Sequence, residues 1–309
     1  SYYSTVTVAN NAGLELSGGI TIGYYKFFYL SGLGVSSGGA LISTSGANTI
    51  QAPIYLQANT RINSSSGSTL TLADPYAANT LSGSYNLTIG GVGNLVINDP
   101  ITIGGTLTKD GSGSATLAGT NTYNGITYIT AGVLRATNSN ALGSTNGRTE
   151  ITSGAALELD GGIAIDVEPI KVAGSGIANA GAIRSITGNN SIAGDLTLTA
   201  DARINSDAST LTLTGDVGGT YNLSYGGSGN ITVSGAIGIS TAAVTKDGSG
   251  TLLINTANTY KGGTTVSAGT LTLGNRTAIG SGTLTDNATV NVVSGLTAVV
   301  AQGLAGSGT

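Results

Sequence analysis

The chain is two copies of a unit of about 140 residues, each made almost entirely of short segments in which apolar and polar residues alternate. "YNLTIGGVGNLVI" at 85–97 recurs as "YNLSYGGSGNITV" at 221–233, and "TRINSSSGSTLTL" at 60–72 recurs as "ARINSDASTLTL" at 202–213. An alternation of period two predicts strands with one buried face. A long repeat of such strands predicts stacked coils, each covering the hydrophobic face of its neighbour.

The repeat also predicts the organisation of the chain. We expect a single β-solenoid over 1–309, with long repeats at 1–143 and 144–281. A partial third repeat is expected at 282–309, because "ATVNVVSGLTAVV" there resembles "AALELDGGIAIDV" at 155–167.

The predicted fold class is all-β, a right-handed parallel β-helix. Coils of about 20 to 25 residues would give roughly 13 coils, and ~4.8 Å per rung would make a rod near ~60 Å long. The rival fold is a tandem of two β-sandwiches. A sandwich needs prominent core aromatics, and this chain has two Phe and no Trp.

Composition narrows the classes of function. The net charge is −4, so no basic patch is expected to neutralise phosphates, and nucleic acid is not an expected partner. The chain has no His and no Cys, which removes Ser-His-Asp triads, thiol nucleophiles, disulfides and His-bound zinc. No apolar run is long enough for a membrane helix, so no membrane insertion is expected within this chain. We expect no cofactor, no metal and no catalytic residue.

Two acidic pairs carry the alternative that the chain degrades or binds polysaccharide. Glu158 with Asp160, and Asp166 with Glu168, are spaced by two residues and so share a strand face. The first copy has uncharged residues where the second has Asp160, Asp166 and Glu168, so we interpret these acids as solvated strand faces or turn caps. Similarly, "GGVGNLVIND" at 90–99 resembles a calcium-binding glycine-rich repeat but has Asn where an Asp is needed.

One polar motif occurs twice at a spacing of 137 residues, as "TKDGSGSATLAGTNTYNG" from Thr108 and "TKDGSGTLLINTANTYKGG" from Thr245. An Asp that bonds its own backbone, followed by Gly with positive φ, is typical of a tight turn. Lys is expected on an outer edge, where it would oppose unwanted strand pairing. The predicted turn residues of the motif are Lys109, Asp110, Gly111, Gly113 and Tyr123, and Lys246, Asp247, Gly248, Gly250 and Tyr260.

This motif resembles the autotransporter-associated β-strand repeat of bacterial passenger domains. The resemblance rests on Lys-x-Gly-x-Gly, then Asn-x-Tyr-x-Gly, then Gly-x-Leu, which match at Lys246, Asn258 and Gly269 and at Lys109, Asn121 and Gly132. It implies a β-helix exported to the surface of a Gram-negative-type cell, either displayed there or released. It also implies a C-terminal membrane barrel, which this chain does not contain, so we expect a released passenger segment or a relative with another export route.

Aromatic residues are concentrated near the start of the chain. Seven of the 15 lie in the first 30 residues, and "GYYKFFYL" at 23–30 stands against "DVEPIKVA" at 166–173 in the second copy. The interpretations are a packing or capping feature, a protein contact surface and a sugar-stacking platform. The candidate interaction surface is Tyr24, Tyr25, Phe27, Phe28 and Tyr29.

The expected function is that of a secreted structural or adhesive element. Open strand edges at the ends of a solenoid favour head-to-tail stacking, so we expect self-association into fibres. Surface glycans or proteins of a host or neighbouring cell are further expected partners. The alternative remains a carbohydrate-binding or polysaccharide-degrading β-helix.

Overall fold

The computed structural model describes residues 3–74 and 81–309. The chain divides into two compact units, Ser1–Glu150 and Ile151–Thr309. In the described part of each, the regular structure is β-strand except for one single-turn 3-10 helix, Val35–Ser37 in the first unit and Ile177–Asn179 in the second. No described helix has the length and apolar character needed to cross a membrane. The all-β prediction is confirmed.

The first unit contains short strands separated by turns. They are β1 (Ser4–Val8), β2 (Leu14–Ser17), β3 (Thr21–Ile22), β4 (Lys26–Gly32), β5 (Leu41–Ile50), β6 (Ile54–Ser64), β7 (Ser68–Leu72), β8 (Leu81–Gly83), β9 (Leu87–Gly91), β10 (Asn94–Ile97), β11 (Ile101–Ile103), β12 (Leu107–Lys109), β13 (Ser114–Leu117), β14 (Thr127–Ile129), β15 (Gly132–Ala136) and β16 (Thr149–Ile151), whose last residue is the first of the second unit.

The second unit continues in the same style. Its strands are β17 (Ala155–Asp160), β18 (Ala164–Ile165), β19 (Ile170–Gly174), β20 (Ile183–Thr187), β21 (Asn190–Ile192), β22 (Leu196–Ser206), β23 (Thr210–Leu213), β24 (Val217–Gly218), β25 (Leu223–Gly226), β26 (Asn230–Val233), β27 (Ile237–Gly238), β28 (Val244–Lys246), β29 (Thr251–Ile254), β30 (Thr264–Val266), β31 (Thr270–Leu273), β32 (Thr283–Asp286), β33 (Thr289–Val292) and β34 (Gly303–Gly306).

Strands pair in parallel with the strands of the next coil. In the first unit β9 pairs with β12, and β10 pairs with β7 and β13. Coil length varies, because Val133 lies 19 residues after its partner Ser114 whereas Leu87 lies 27 residues after its partner Thr60. This arrangement is a parallel β-solenoid in each unit, and the predicted fold is confirmed.

The core of each unit consists of apolar columns that run from coil to coil. Leu211, Ile231, Leu252 and Leu271 are successive register partners in the second unit, and all four are buried. The residue that follows each of them on its strand is a half-exposed Thr or Leu, as the two-residue period requires. Burial of the small aliphatic side chains, rather than of large aromatics, supplies the hydrophobic stabilisation.

A buried asparagine satisfies the backbone at one corner of each unit. Asn48 Nδ2 donates to Ser43 Oγ at 2.8 Å, and Asn48 Oδ1 accepts the Ile20 amide at 3.0 Å. Asn190 repeats the arrangement with Ser185 Oγ at 2.8 Å and the Ile163 amide at 2.8 Å. The amide group thereby links neighbouring coils where strand pairing is interrupted.

Candidate functional site

The lysine of the duplicated motif is buried, so its predicted place on an outer edge is wrong. Lys109 and Lys246 are at most 2% exposed. Lys109 Nζ donates to the carbonyl oxygens of Asp110 at 2.7 Å, Gly111 at 2.9 Å and Ala131 at 3.0 Å. The register of β9 and β12 puts Lys109 beside Ile89 in an inward column, so its aliphatic stem lies in the core.

The second unit reproduces this lysine site. Lys246 Nζ donates to the carbonyls of Asp247 at 2.8 Å, Gly248 at 2.9 Å and Ala268 at 3.1 Å. In both units the third carbonyl belongs to the following coil. The ammonium group therefore uses its three donors to close the turn and to hold the next coil against it.

Burial lowers the pKa of both lysines. The pKa of Lys109 falls to about 8, mainly through desolvation of the ammonium; the Asp110 carboxylate opposes this shift and the Arg61 guanidinium adds to it. Desolvation likewise lowers the pKa of Lys246. A lowered pKa commonly accompanies lysine catalysis, but here Nζ is enclosed by backbone carbonyls, so the geometry supports a structural role.

The motif aspartate reaches back across the solenoid to an arginine. Arg61 donates from Nη1 and Nη2 to Asp110 at 2.5 and 2.8 Å, and Arg203 donates to Asp247 at 2.7 and 2.5 Å. Each arginine lies two coils before its aspartate, with Gly90 or Gly226 on the coil between them. A Cβ at either glycine would overlap the aspartate or arginine side chain. We call each Arg-Lys-Asp set, Arg61 with Lys109 and Asp110 or Arg203 with Lys246 and Asp247, a coil clasp.

The second half of the motif is also structural. Asn121 accepts the Ile101 amide of the preceding coil at 2.8 Å and donates to the Ala141 carbonyl of the following coil at 2.6 Å. Tyr123 is 1% exposed and its hydroxyl bonds Thr127 Oγ1 at 2.7 Å.

In the second unit Asn258 and Tyr260 make the same contacts, with Tyr260 Oη 2.6 Å from Thr264 Oγ1. Sequence reasoning did not identify the arginines of the clasps. The recurrence of "RIN" at Arg61 and Arg203 is the signal that would have found them.

The candidate interaction surface is only partly on the surface. Tyr25 is 48% exposed, and Tyr24, Phe27 and Tyr29 are half-buried. Phe28 is fully buried and belongs to the core, so its assignment to a surface is wrong; it points inward because it alternates with its neighbours along β4. Tyr2, which was counted among the N-terminal aromatics, lies outside the described residues.

The outward aromatics form one connected cluster. Tyr29 stacks on Tyr55 of β6 at 5.3 Å, Phe27 lies 6.3 Å from Tyr55, and Tyr3 stacks on Phe27 at 5.5 Å. Tyr3 also lies 5.9 Å from Tyr25. We define Tyr3, Tyr25, Phe27, Tyr29 and Tyr55 as the aromatic patch.

The second unit has no counterpart of this patch at the equivalent strand positions. Tyr29 pairs with Tyr55 in the first unit, and Lys171 pairs with Thr197 at the same register in the second. By the same register, Ile170 is the equivalent of Phe28. The sequence alignment of 23–30 with 166–173 places Lys171 opposite Phe28 and is therefore shifted by one residue here. The patch is therefore a local departure from the repeat rather than a requirement of the coil.

The interpretation of the acidic pairs as solvated strand faces is wrong for both glutamates, because Glu158 and Glu168 are buried, and Asp166 and Glu168 lie between β18 and β19 rather than on a strand. Glu158 is 4% exposed and accepts from Arg184 at 3.0 Å, and Arg184 also bonds Asp207. These carboxylates raise the pKa of Arg184, the bond to Asp207 most strongly. Asp160 accepts from the Thr187 hydroxyl at 2.5 Å. Among the residues that the structure describes, no three acidic side chains group so as to hold a metal ion.

The comparisons with known proteins agree with this geometry. Residues 107–136 and 244–273 match the family model described as passenger-associated-transport-repeat. Both segments are passenger-associated-transport repeats. They begin at β12 and β28, the strands that carry Lys109 and Lys246, and the resemblance to autotransporter passengers is confirmed there.

A curated relative supports the same assignment. The chain is 30% identical over 208 residues to the adhesin BmaC autotransporter of Brucella suis biovar 1 (strain 1330). The matched region covers 63% of this chain and 5% of that adhesin, so the chain spans a small part of the relative's length. No solved structure matches the chain significantly.

Proposed function

We propose that this chain is a non-catalytic segment of a surface-exposed or released autotransporter passenger, and that it serves as an adhesive structural element. The passenger-associated-transport repeats and the similarity to an autotransporter adhesin support export to the surface of a Gram-negative-type cell. The coil clasps recur in both units and connect neighbouring coils, so we assign them a structural role. We assign adhesion to a surface that the two units do not share.

The aromatic patch is the observation that carries the adhesive role. Tyr3 and Tyr25 are exposed, and the other three rings of the patch are half-buried. Aromatic side chains are typical anchors of protein interfaces, because rigid rings provide contact area at low entropic cost. We assign the patch to a protein partner on a neighbouring or host cell surface.

A matched pair of variants tests this role. The triple variant Tyr25→Ser, Tyr29→Lys, Tyr55→Thr introduces at two positions the residues that the second unit carries, Lys171 and Thr197. Fluorescent beads coated with the wild-type chain should adhere to epithelial or bacterial cell layers, and the triple variant should lose most of that adhesion. Tyr128→Thr, a half-exposed tyrosine on β14, is the control.

Adhesion that is absent in the wild type, or that survives in the triple variant with an unchanged melting temperature, contradicts the proposal. Protease treatment of the cell layers separates a protein partner from a glycan. Loss of adhesion only after glycosidase treatment would assign the patch to sugar stacking instead.

The alternative of a polysaccharide-active β-helix is tested separately. Glu158→Ala with Asp160→Ala removes the acidic pair that lies on strand β17. Depolymerisation of any neutral or acidic polysaccharide by the wild type, lost in this variant, would replace the non-catalytic assignment.

A further inference from the structure

An open polar cleft lies beside loop 32–39 of the first unit. Its volume is about 470 Å³, and Asn10, Asn11 and Asn59 line it together with Ser36 and Ser37. The loop carries two consecutive non-glycine residues in the left-handed region, Ser36 at φ 49° and Ser37 at φ 60°. The chain therefore holds this loop in an uncommon conformation at the edge of the cleft.

The second unit contains a smaller cleft beside the corresponding loop, of about 260 Å³. Loop 174–181 borders it, with Ala178 at φ 48° and Asn179 at φ 63° in place of the two serines. Register gives the equivalence, since Gly32 pairs with Thr60 and Gly174 pairs with Ala202. Asp201 takes the place of Asn59 in its lining, and Arg203 lines it as well, so this cleft contains charged side chains.

The lining of the first cleft is neutral and rich in hydrogen-bonding groups. The side chains of Asn10, Asn11, Ser36 and Ser37 are exposed and make no hydrogen bond to other described residues. No charged side chain lines this cleft. Amides and hydroxyls offer adjacent donors and acceptors, the pattern that pairs with vicinal hydroxyl groups.

On the coil next to each cleft, an exposed tyrosine immediately precedes an asparagine whose backbone amide bonds a residue of the cleft lining. Asn86, which follows Tyr85, donates its amide to Asn59 Oδ1 at 3.1 Å, and Asn222, which follows Tyr221, donates to Asp201 at 2.8 Å. The two tyrosines are each 41% exposed. An aromatic ring beside polar groups supplies a flat apolar surface for the C–H face of a sugar ring.

We propose that the two clefts, which lie beside corresponding loops, are binding sites for a neutral saccharide. An anionic ligand would need a free cation. The first cleft has no cation among its lining residues, and Arg203, which lines the second, is already paired with Asp247. An apolar ligand would need a mainly apolar pocket. The clefts share no residue with the aromatic patch, so this inference goes beyond the adhesive role assigned to that patch.

The probes are cellobiose, maltose, lactose and chitobiose, titrated separately into the ¹⁵N-labelled chain. At least one should cause saturable amide shifts in loop 32–39 and loop 174–181. Tyr85→Ser should weaken binding at loop 32–39 by roughly fivefold to tenfold, the loss expected from one ring contact, and leave loop 174–181 unchanged. Tyr221→Ser should do the reverse, so that each cleft is the control for the other.

The proposal is overturned if none of the four disaccharides causes saturable shifts, or if the shifts lie outside both loops. It also fails if Tyr85→Ser changes the two loops equally. The triple patch variant separates the two proposals: it should keep saccharide binding even where it loses adhesion.

Discussion

At the scale of single residues, the buried lysine of each coil clasp shows how a charge is accommodated in a small-residue core. The ammonium of Lys246 loses hydration but gains three carbonyl acceptors. Such a group is costly to remove singly, because its partners stay behind without a donor. Lysine thus acts here as a cross-coil hydrogen-bond donor.

Replacement of this lysine should destabilise the second unit. Lys246→Met keeps the aliphatic volume and avoids the desolvation cost, yet it leaves three carbonyls without their donor, a net loss of roughly 2 to 4 kcal/mol. Lys261→Met, at an exposed lysine of the same unit, should change stability little. Urea unfolding followed by circular dichroism measures both; equal midpoints for the two variants would contradict the clasp.

The buried tyrosines of the second unit predict a loss of stability in alkali. Burial raises the pKa of Tyr225 and of Tyr260 above the ordinary 10.0. The folded state then keeps protons that the unfolded chain releases, so the stabilising contribution is present below pH 10 and is lost as pH rises above it. The free energy of unfolding should fall above pH 10.

A double variant isolates these two hydroxyls. In Tyr225→Phe with Tyr260→Phe the fall above pH 10 should be shallower, whereas the half-exposed Tyr128→Phe should keep the wild-type slope. Tyr225→Phe alone should cost little at neutral pH, because the Tyr225 hydroxyl has no hydrogen-bond partner among the described residues. Identical slopes in the double variant and the wild type would show that these rings do not control the alkaline transition.

At the scale of elements, the turn of the motif depends on close approach between successive coils. Gly248 has φ 74°, as the predicted turn requires, but Gly250 does not have positive φ. A Cβ at Gly250 would instead overlap the carbonyl oxygen of Gly229 on the preceding coil. The second glycine is therefore explained by coil spacing and not by turn conformation.

This difference gives a matched pair of glycine variants. Gly250→Ala should destabilise the second unit by about 1 to 3 kcal/mol, because backbone must shift to admit the methyl group. Gly218→Ala, where nothing lies within 4 Å of the added atom, should be neutral or slightly stabilising. Thermal unfolding compares the two variants. A Gly250→Ala protein as stable as the wild type would contradict the argument, because it would show that the two backbones can move apart without a loss of stability.

At the scale of the whole molecule, the motif residues that recur in both units have structural contacts, whereas the surface proposed for recognition differs between the units. The coil clasps occur in both units with nearly the same contacts. The aromatic patch occurs in the first unit alone among the described strands at that register. A partner that recognises the patch would therefore bind one unit and not the other.

End-to-end self-association stays a prediction at this scale. Because parallel solenoids present strand edges that can pair with another chain, the 309-residue chain should form elongated assemblies as its concentration rises. Multi-angle light scattering and negative-stain electron microscopy measure this. Monodisperse monomers at high concentration would rule it out.

The sequence by itself determined the fold class and the repeat. Period-two alternation predicts parallel coils with an aliphatic core, and the Lys-x-Gly-x-Gly and Asn-x-Tyr-x-Gly pattern predicts passenger repeats. Both predictions are possible from sequence because each pattern lies within a short stretch of the chain. The alternation also predicts that Phe28 points to the opposite face of its strand from Phe27 and Tyr29. Because all three residues are aromatic, the sequence does not show which face is buried.

Only the tertiary structure decided what the polar residues of the motif do. Arg61 and Asp110 are 49 residues apart and meet only because two coils bring them into register. Lys109 is buried because its turn supplies carbonyls from two coils, which no local pattern reveals. The aromatic patch and the two polar clefts likewise depend on contacts between coils, since coil length varies and register is set by packing rather than by sequence spacing.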